Sequence, residues 1–133
     1  MFIAAAAVAD YRPQDVLTSK MKKGAEDSLN LVLVKNPDIV AAVAALPAKP
    51  YTVGFAAETD NLITYAKGKL QRKNLDAIVA NDVSDSQIGF NSDNNAVTII
   101  TNDEERALDQ RSKSQLARDL VAFFAQRITA PTS

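Results

Sequence analysis

The stretch YTVGFAAETDNLITYAKGKLQRKNLDAIVA, residues 51–80, decides the fold of this chain. Residues 51–57 and 75–80 are short apolar runs that are typical of buried strands. Between them, residues 60–73 carry apolar residues at helical spacing, with a predicted inner face of Leu62, Tyr65, Ala66 and Leu70. A strand, a helix and a second strand in this order indicate an α/β sheet.

The segments before this stretch continue the alternation of strands and helices. Residues 2–8 and 29–34 read as strands, and residues 11–28, which lack periodicity, read as a loop. Asn36 is the predicted N-cap of a helix that runs to residue 46, with Pro37 at its first position, where the missing N–H costs nothing.

The segments after it complete the fold. Residues 96–101 form a further predicted strand, and Ser112 with Gln115 makes a capping box that opens a last helix. The apolar residues of that helix recur every four positions: Leu116, Leu120, Phe124 and Ile128. We predict an α/β, three-layer Rossmann-like fold with a mostly parallel sheet over residues 1–129, and a frayed tail at residues 130–133.

Composition limits the chemistry. With 133 residues, 47% apolar and 23% charged, the chain is typical of one soluble globular domain. It has neither a signal peptide nor an apolar run near the ~20 residues of a membrane span, so we expect a cytoplasmic location and no membrane partner. A net charge of −1 predicts no nucleic-acid partner. Without cysteine or histidine there is no thiolate site, no cysteine nucleophile and no histidine general base.

Basic residues are concentrated in two short clusters, which suits a small polyanion. Lys69 and Lys73 stand four residues apart, so they project from one helix face and can hold neighbouring phosphates. The alternative, a solvated lysine face, stays open at this point. The clusters are Lys20, Lys22 and Lys23, and then Lys67, Lys69, Arg72 and Lys73.

The chain has four glycines and neither a GxGxxG nor a Walker sequence. A doubly wound nucleotide-binding fold normally has a glycine-rich phosphate turn after its first strand. Its absence fits a fragment that lacks the first half of its domain. It also argues against a nicotinamide-binding oxidoreductase domain, the alternative that the α/β pattern alone suggests.

Six segments in order carry a family resemblance: AAVADYRP (6–13), KMKKG (20–24), VKNPDIV (34–40), VGFAAETDN (53–61), KLQRKNLDAIVANDV (69–83) and GFNSDNN (89–95). Together they resemble the C-terminal half of bacterial phosphopantothenoylcysteine synthetase, the CTP-dependent phosphopantothenate–cysteine ligase. The resemblance covers residues 2–128. It implies that the N-terminal half of the family domain, with its Gly/Ser-rich turn and a catalytic asparagine, is missing.

The resemblance implies a ligase that joins 4′-phosphopantothenate to L-cysteine in coenzyme A biosynthesis. CTP would be consumed to CMP and pyrophosphate through an acyl-cytidylate, with Mg²⁺ on the triphosphate. It further implies a homodimer, and fusion to or association with a flavin-dependent decarboxylase domain. The alternative is a truncated CTP-binding or dimerisation module that has no activity of its own.

The resemblance also assigns residues. It makes Lys20, on the predicted loop, both a catalytic residue and a nucleotide ligand, and it lets the Asp10 carboxylate meet a hydroxyl. It gives Asn81 a part in binding substrate, and no residue is predicted as a metal ligand. The remaining predicted nucleotide-binding residues are Ala4, Ala5, Ala6, Pro37, Asp38, Ile39, Val40, Phe55, Lys69 and Lys73.

From the residues alone, four of these assignments have plainer readings. Lys20 lies on a Lys-rich loop, where an ordinary exposed charge is the commoner case. Asp10 ends the first predicted strand, where α/β folds bind ligands, but an acid there is also a common turn former. The N–H groups of residues 37–40 can read an anion or merely begin a helix. An aromatic residue such as Phe55 in a strand is more often part of the core than a platform for a base.

Overall fold

The computed structural model describes residues 1–22, 24, 28–58, 60–82 and 92–129. They form two compact units: a sheet unit, Met1–Ala5 with Val40–Ser133, and a small unit, Ala6–Ile39. In chain order the elements are β1 (Phe2–Ile3), β2 (Tyr11–Pro13), β3 (Leu33–Lys35), α1 (Ile39–Ala44), β4 (Thr52–Glu58), α2 (Leu62–Arg72), β5 (Ala77–Asp82), β6 (Asn94–Thr101), β7 (Glu105–Ser112) and α3 (Lys113–Thr129).

The sheet unit contains a five-stranded mixed sheet in the order β1-β4-β5-β6-β7. β1, β4 and β5 pair in parallel, whereas β6 pairs antiparallel with both β5 and β7. Four of these five strands therefore run in the same direction. The predicted α/β class and Rossmann-like arrangement are confirmed.

Two apolar clusters cover opposite faces of this sheet, because successive residues of a strand point to alternate sides. On one face, α3 packs on the central strands; its cluster contains Val53, Ala77, Val79, Val97, Ile99, Leu116, Leu120, Phe123 and Phe124. On the other face lie α1 and α2; that cluster contains Ala44, Ala56, Ala66, Leu70, Leu75, Ile78, Ala80 and Ile100. The predicted three layers are therefore present.

One carboxylate fixes where the central strands begin. Asp76 accepts the Thr52 N–H at 2.7 Å through Oδ2 and the Lys49 ammonium at 3.1 Å through Oδ1. Its own N–H donates to the Thr52 carbonyl at 2.9 Å. Because both partners are only partly exposed, the ion pair is less screened than a surface pair. This node sets the register from which β4 and β5 run side by side.

Helix α2 ends in a Schellman motif at Asn74. Asn74 adopts a left-handed backbone with φ 52°, which asparagine tolerates better than most residues. The Leu75 N–H donates to the Leu70 carbonyl at 2.9 Å, and the Asn74 N–H to the Gln71 carbonyl at 3.2 Å. The predicted helix is confirmed, except that Tyr65, predicted on its inner face, is exposed.

The N-terminal predictions need correction. The strand predicted at residues 2–8 spans only Phe2–Ile3, and Val8 is exposed. The strand predicted at 29–34 lies at Leu33–Lys35 and pairs with β2, which falls in the predicted loop. Backbone pairing between segments distant in sequence, not local hydrophobicity, decides these boundaries.

Strand β7, in the described residues 92–129, was not predicted. Its sequence is mostly polar and has little apolar alternation, so no pattern indicated a strand. In the structure, six of its eight residues are exposed. Such polar composition is common on edge strands, where it discourages pairing with other chains. Residues 83–91 and the tail at 130–133 lie outside the described residues.

Helix α3 begins as the capping box predicts, but with a different role for Gln115. The Gln115 N–H donates to Ser112 Oγ at 3.2 Å, whereas its side chain donates to Asp119 Oδ1 at 2.8 Å. Hydrogen bonds from Arg111, at 2.6 Å, and then from Gln115 lower the pKa of the Asp119 carboxyl. Of the apolar residues that recur every four positions, Ile128 is exposed and the other three are buried, with Phe123 buried beside them.

Two glycines allow a matched test of the packing between β4 and α2. A Cβ added at Gly54 in β4 would lie 2.8 Å from Leu75 Cδ1, inside the core, whereas at Gly68 it would meet only the flexible end of Arg72 at 3.2 Å. We expect Gly54→Ala to lower the free energy of unfolding by about 1–3 kcal/mol, as overpacking does. Gly68→Ala should raise it by about 0.4–1 kcal/mol, since alanine restricts the unfolded chain. Urea denaturation of both variants measures this; equal effects would contradict the described packing.

Candidate functional site

The predicted site residues are divided between the two units. The small unit contains Ala6, Asp10, Lys20, Pro37, Asp38 and Ile39. The sheet unit contains Ala4, Ala5, Val40, Phe55, Lys69, Lys73 and Asn81. Each group has its own geometry.

In the sheet unit, Ala4, Phe55 and Lys69 meet along one edge of β4. There, the Phe2 N–H donates to the Tyr51 carbonyl at 2.8 Å, and the Ala4 N–H donates to the Val53 carbonyl at 2.9 Å. These two hydrogen bonds hold β1 against β4. The next carbonyl on this edge, that of Phe55, accepts instead from Lys69 Nζ at 2.8 Å. A side-chain ammonium thus takes the position of the next backbone donor, which is a physical reason for the short β1.

Lys69 and Lys73 lie one turn apart at the end of α2, as their spacing predicts. Lys73 is the C-cap, and both residues are partly buried. Their ammonium groups are favoured at this helix end because the last carbonyls carry partial negative charge.

The side chain of Phe55 has a structural role. Its ring is partly buried and packs against the apolar cluster beneath α3. Its carbonyl, not its ring, makes the contact with Lys69. Asn81 is partly exposed near the carboxyl end of β5, opposite Ala57 in β4.

In the small unit, Asn36 ties together the ends of β2 and β3. Its side-chain Nδ2 donates to the Ala9 carbonyl at 2.8 Å and its backbone N–H to the Asp10 carbonyl at 2.8 Å. Arg12 Nη1 donates to Asn36 Oδ1 and to the Lys35 carbonyl, both at 3.0 Å. A pocket of about 380 Å³ is lined by Asp10, Tyr11, Lys35, Asn36 and Asp38.

These bonds correct the predicted helix start. Asn36 was predicted as the N-cap, but α1 begins at Ile39, because the Asn36 amide is engaged with Ala9 and Arg12. α1 has six residues and ends at Ala44, two residues before the predicted end. Pro37 and Asp38 therefore precede the helix.

The other predicted residues of the small unit are exposed. Ala6, Lys20, Pro37 and Ile39 all present accessible side chains, and Lys20 lies outside any helix or strand. Ala5, in the sheet unit, is exposed as well.

Arg12 and the role of Asn36 were not predicted from the sequence. Both residues stand inside the motifs that carry the resemblance, but their partnership spans 24 residues of sequence, and no local pattern indicates it. Among the described residues, no group of three His, Cys, Asp or Glu side chains could hold a metal ion. The helices in that part of the chain are too short or too polar to cross a membrane.

Comparison with known proteins places this geometry in a family. Residues 1–128 match the family described as the DNA/pantothenate metabolism flavoprotein C-terminal domain. The coenzyme A biosynthesis bifunctional protein CoaBC of Vibrio cholerae is 56% identical over 130 residues, which cover 96% of this chain and 33% of that protein. The CoaBC protein of Escherichia coli K12 is 52% identical over 130 residues, which cover 96% of this chain and 32% of that protein.

Two solved structures are also similar to this chain. A crystal structure of the C-terminal domain of a CoaBC protein matches with a TM-score of 0.69 and 32% identity, covering 92% of this chain and 52% of that one. The DNA/pantothenate metabolism flavoprotein of Streptococcus pneumoniae matches with a TM-score of 0.70 at 21% identity, covering 94% of this chain and 62% of that one; this likeness concerns the fold alone. The chain spans about a third of the length of the curated relatives it matches.

Proposed function

This chain belongs to the DNA/pantothenate metabolism flavoprotein C-terminal domain family, and we propose that it is the CTP-binding part of a phosphopantothenate–cysteine ligase. The relatives' names, which refer to coenzyme A biosynthesis, support this assignment. The observation that carries it is the cationic end of α2, where Lys69 is fixed on the Phe55 carbonyl one turn before Lys73.

The proposed reaction has two steps. The carboxylate of 4′-phosphopantothenate attacks the α-phosphorus of CTP, forming an acyl-cytidylate and releasing pyrophosphate. The amine of L-cysteine then attacks the acyl carbon, forming the amide and releasing CMP. The chain has no histidine or cysteine, so its task in this proposal is to position substrates and neutralise charge.

The proposal gives each chemical group a task. Lys69 and Lys73 hold the triphosphate, and Lys20 places a cation where negative charge develops at the α-phosphorus. Asp10 meets a hydroxyl of the nucleotide. Mg²⁺ arrives on the triphosphate oxygens, a mode that needs few protein ligands. The remaining nucleotide contacts are assigned to Ala4, Ala5, Ala6, Pro37, Asp38, Ile39, Val40 and Phe55, and a substrate contact to Asn81.

A homodimer is part of the proposal. The small unit exposes many large apolar side chains for its size, and a two-stranded sheet is marginally stable by itself. Burial of these side chains against a second copy would remove them from water. They include Val16, Leu17, Leu29, Leu31, Val32 and Leu33. We also propose a cytoplasmic location, and association or fusion with a flavin-dependent decarboxylase in the whole protein.

Calorimetric titration with CTP, ATP, UTP and NADH tests the nucleotide assignment. We expect CTP to bind most tightly, and the Lys69→Ala/Lys73→Ala variant to bind it at least tenfold more weakly. Each charged hydrogen bond lost costs about 1.5–3 kcal/mol. Lys113→Ala, which removes an exposed lysine at the start of α3, is the control and should bind as the wild type does. Unchanged CTP affinity in the double variant would remove both lysines from the site, and preferred binding of NADH would favour an oxidoreductase domain.

Pyrophosphate release from CTP and 4′-phosphopantothenate tests the role of Lys20 in the whole enzyme. Lys20→Ala should lower kcat more than it raises the KM for CTP, because the proposed contact strengthens in the transition state. Lys22→Ala, two residues away, should change kcat much less. An unaltered kcat in Lys20→Ala would overturn its catalytic assignment. If this chain alone binds CTP without releasing pyrophosphate, it is the binding module and not the complete enzyme.

Sedimentation velocity tests the homodimer. The Leu31 side chain is 65% exposed, so a charge there should leave the fold intact. We expect the wild type to sediment as a dimer and Leu31→Glu to shift toward the monomer, since the charge would be buried unpaired. Val121→Glu, which alters an exposed apolar residue of α3, should remain dimeric. A monomeric wild type would rule out the dimer, and dissociation in Val121→Glu alone would place the interface elsewhere.

A further inference from the structure

We propose that Arg12 and Asn36 are positioning residues that fix the direction of the Asp10 side chain and thereby set the preference for ribonucleotides over deoxyribonucleotides. This inference rests on the proposed function, in which Asp10 meets a nucleotide hydroxyl. It goes further because it assigns a task to two residues that the proposed site does not include.

Asn36 holds both peptide planes that flank Asp10. Asn36 Nδ2 donates to the Ala9 carbonyl at 2.8 Å and thereby holds the peptide between Ala9 and Asp10. The Asn36 backbone N–H donates to the Asp10 carbonyl at 2.8 Å and thereby holds the peptide between Asp10 and Tyr11. Because each peptide is planar, fixing two neighbouring planes fixes φ and ψ of the residue between them. The direction of the Asp10 Cα–Cβ bond is then set by one residue.

Arg12 fixes which way the Asn36 amide points. Its Nη1 donates to Asn36 Oδ1, and a guanidinium can only donate, so the amide oxygen must face Arg12. Nδ2 is thereby turned toward the Ala9 carbonyl. The same Nη1 donates to the Lys35 carbonyl, which restrains the guanidinium itself.

The strand pairing holds this assembly in place. In β2 and β3, Tyr11 is opposite Lys35 and Arg12 is opposite Val34. Asp10 immediately precedes β2, and Asn36 immediately follows β3, so both lie at the same end of the ribbon. Asp10 and Asn36 border one pocket with Tyr11, Lys35 and Asp38. A carboxylate held at the border of a pocket can discriminate between a ligand with a hydroxyl and one without it, because the unmatched carboxylate stays unpaired.

The test compares the affinities of CTP, 2′-deoxy-CTP and 3′-deoxy-CTP by calorimetry. We expect the wild type to bind CTP about tenfold more tightly than the analogue that lacks the hydroxyl met by Asp10, as for one charged hydrogen bond. Asp10→Asn should abolish most of this ratio. Arg12→Ala should reduce the ratio several-fold while leaving the affinity for that analogue unchanged. Arg12→Lys should restore part of it.

Three further variants make the outcome decisive. Arg118→Ala removes an exposed arginine of α3 and should keep the wild-type ratio. Asn36→Ala, which removes both side-chain bonds, should reproduce Arg12→Ala, and it replaces that variant if Arg12→Ala fails to fold. Arg12→Ala combined with Asp10→Asn should be no worse than Asp10→Asn alone, since the positioning residue acts through the carboxylate.

The results separate this inference from the proposed function. If the wild type binds CTP but Arg12→Ala and Asn36→Ala keep the wild-type ratio, or weaken all three nucleotides equally, the positioning role is overturned and the proposed function stands. If the wild type binds CTP no more tightly than either analogue, the positioning role is likewise overturned and the proposed function stands. If it binds no CTP, the proposed function is itself refuted, and the positioning role is refuted with it.

Discussion

The pairing of β4 with β5 is the constraint on which the rest of the sheet unit depends. Six residues of each strand pair in parallel, and both faces of the pair are covered by apolar clusters. Asp76 sets the start of both strands through Thr52 and Lys49, and α2, which connects them, must return across one face. That path brings Lys69 to the open edge of β4, where the Phe55 carbonyl receives its ammonium. The packing of the core, and not a flexible surface segment, therefore determines where the Lys69 ammonium lies.

The same physical principle operates in both units, although their elements differ. Backbone carbonyls left without a strand partner are satisfied by side-chain donors: Lys69 on Phe55 in the sheet unit, and Asn36 on Ala9 in the small unit. Each donor is a fixed polar group beside residues that we assign to nucleotide binding. Charge stabilisation by such preorganised groups needs no titrating base, which is compatible with a chain that has no histidine and no cysteine.

The central part of the fold could be predicted from the sequence, because its signals are local. The apolar runs and helical spacing of residues 51–80 give two strands and α2 within two residues of their bounds, and Lys69 and Lys73 follow from that helix. The short β1, the pairing of β2 with β3 and the late start of α1 could not be predicted. They depend on bonds such as those of Asn36 with Ala9 and Arg12, which join residues more than twenty positions apart. β7 was missed because its exposed polar residues give no strand pattern. Asp10 was singled out as the predicted end of the first strand, but β1 ends at Ile3 and Asp10 instead lies immediately before β2. Nothing in the sequence indicated what orients its side chain.

The proposal depends most on the cationic end of α2 as the place where the triphosphate of CTP binds. An NMR titration of the isotope-labelled protein with CTP and Mg²⁺ tests it most directly, because every assigned backbone amide reports separately. We predict that the amides of Phe55, Lys69 and Lys73 shift together, along one saturation curve with a single dissociation constant. Unshifted amides at these three residues in saturating CTP, or curves with different midpoints, would contradict this.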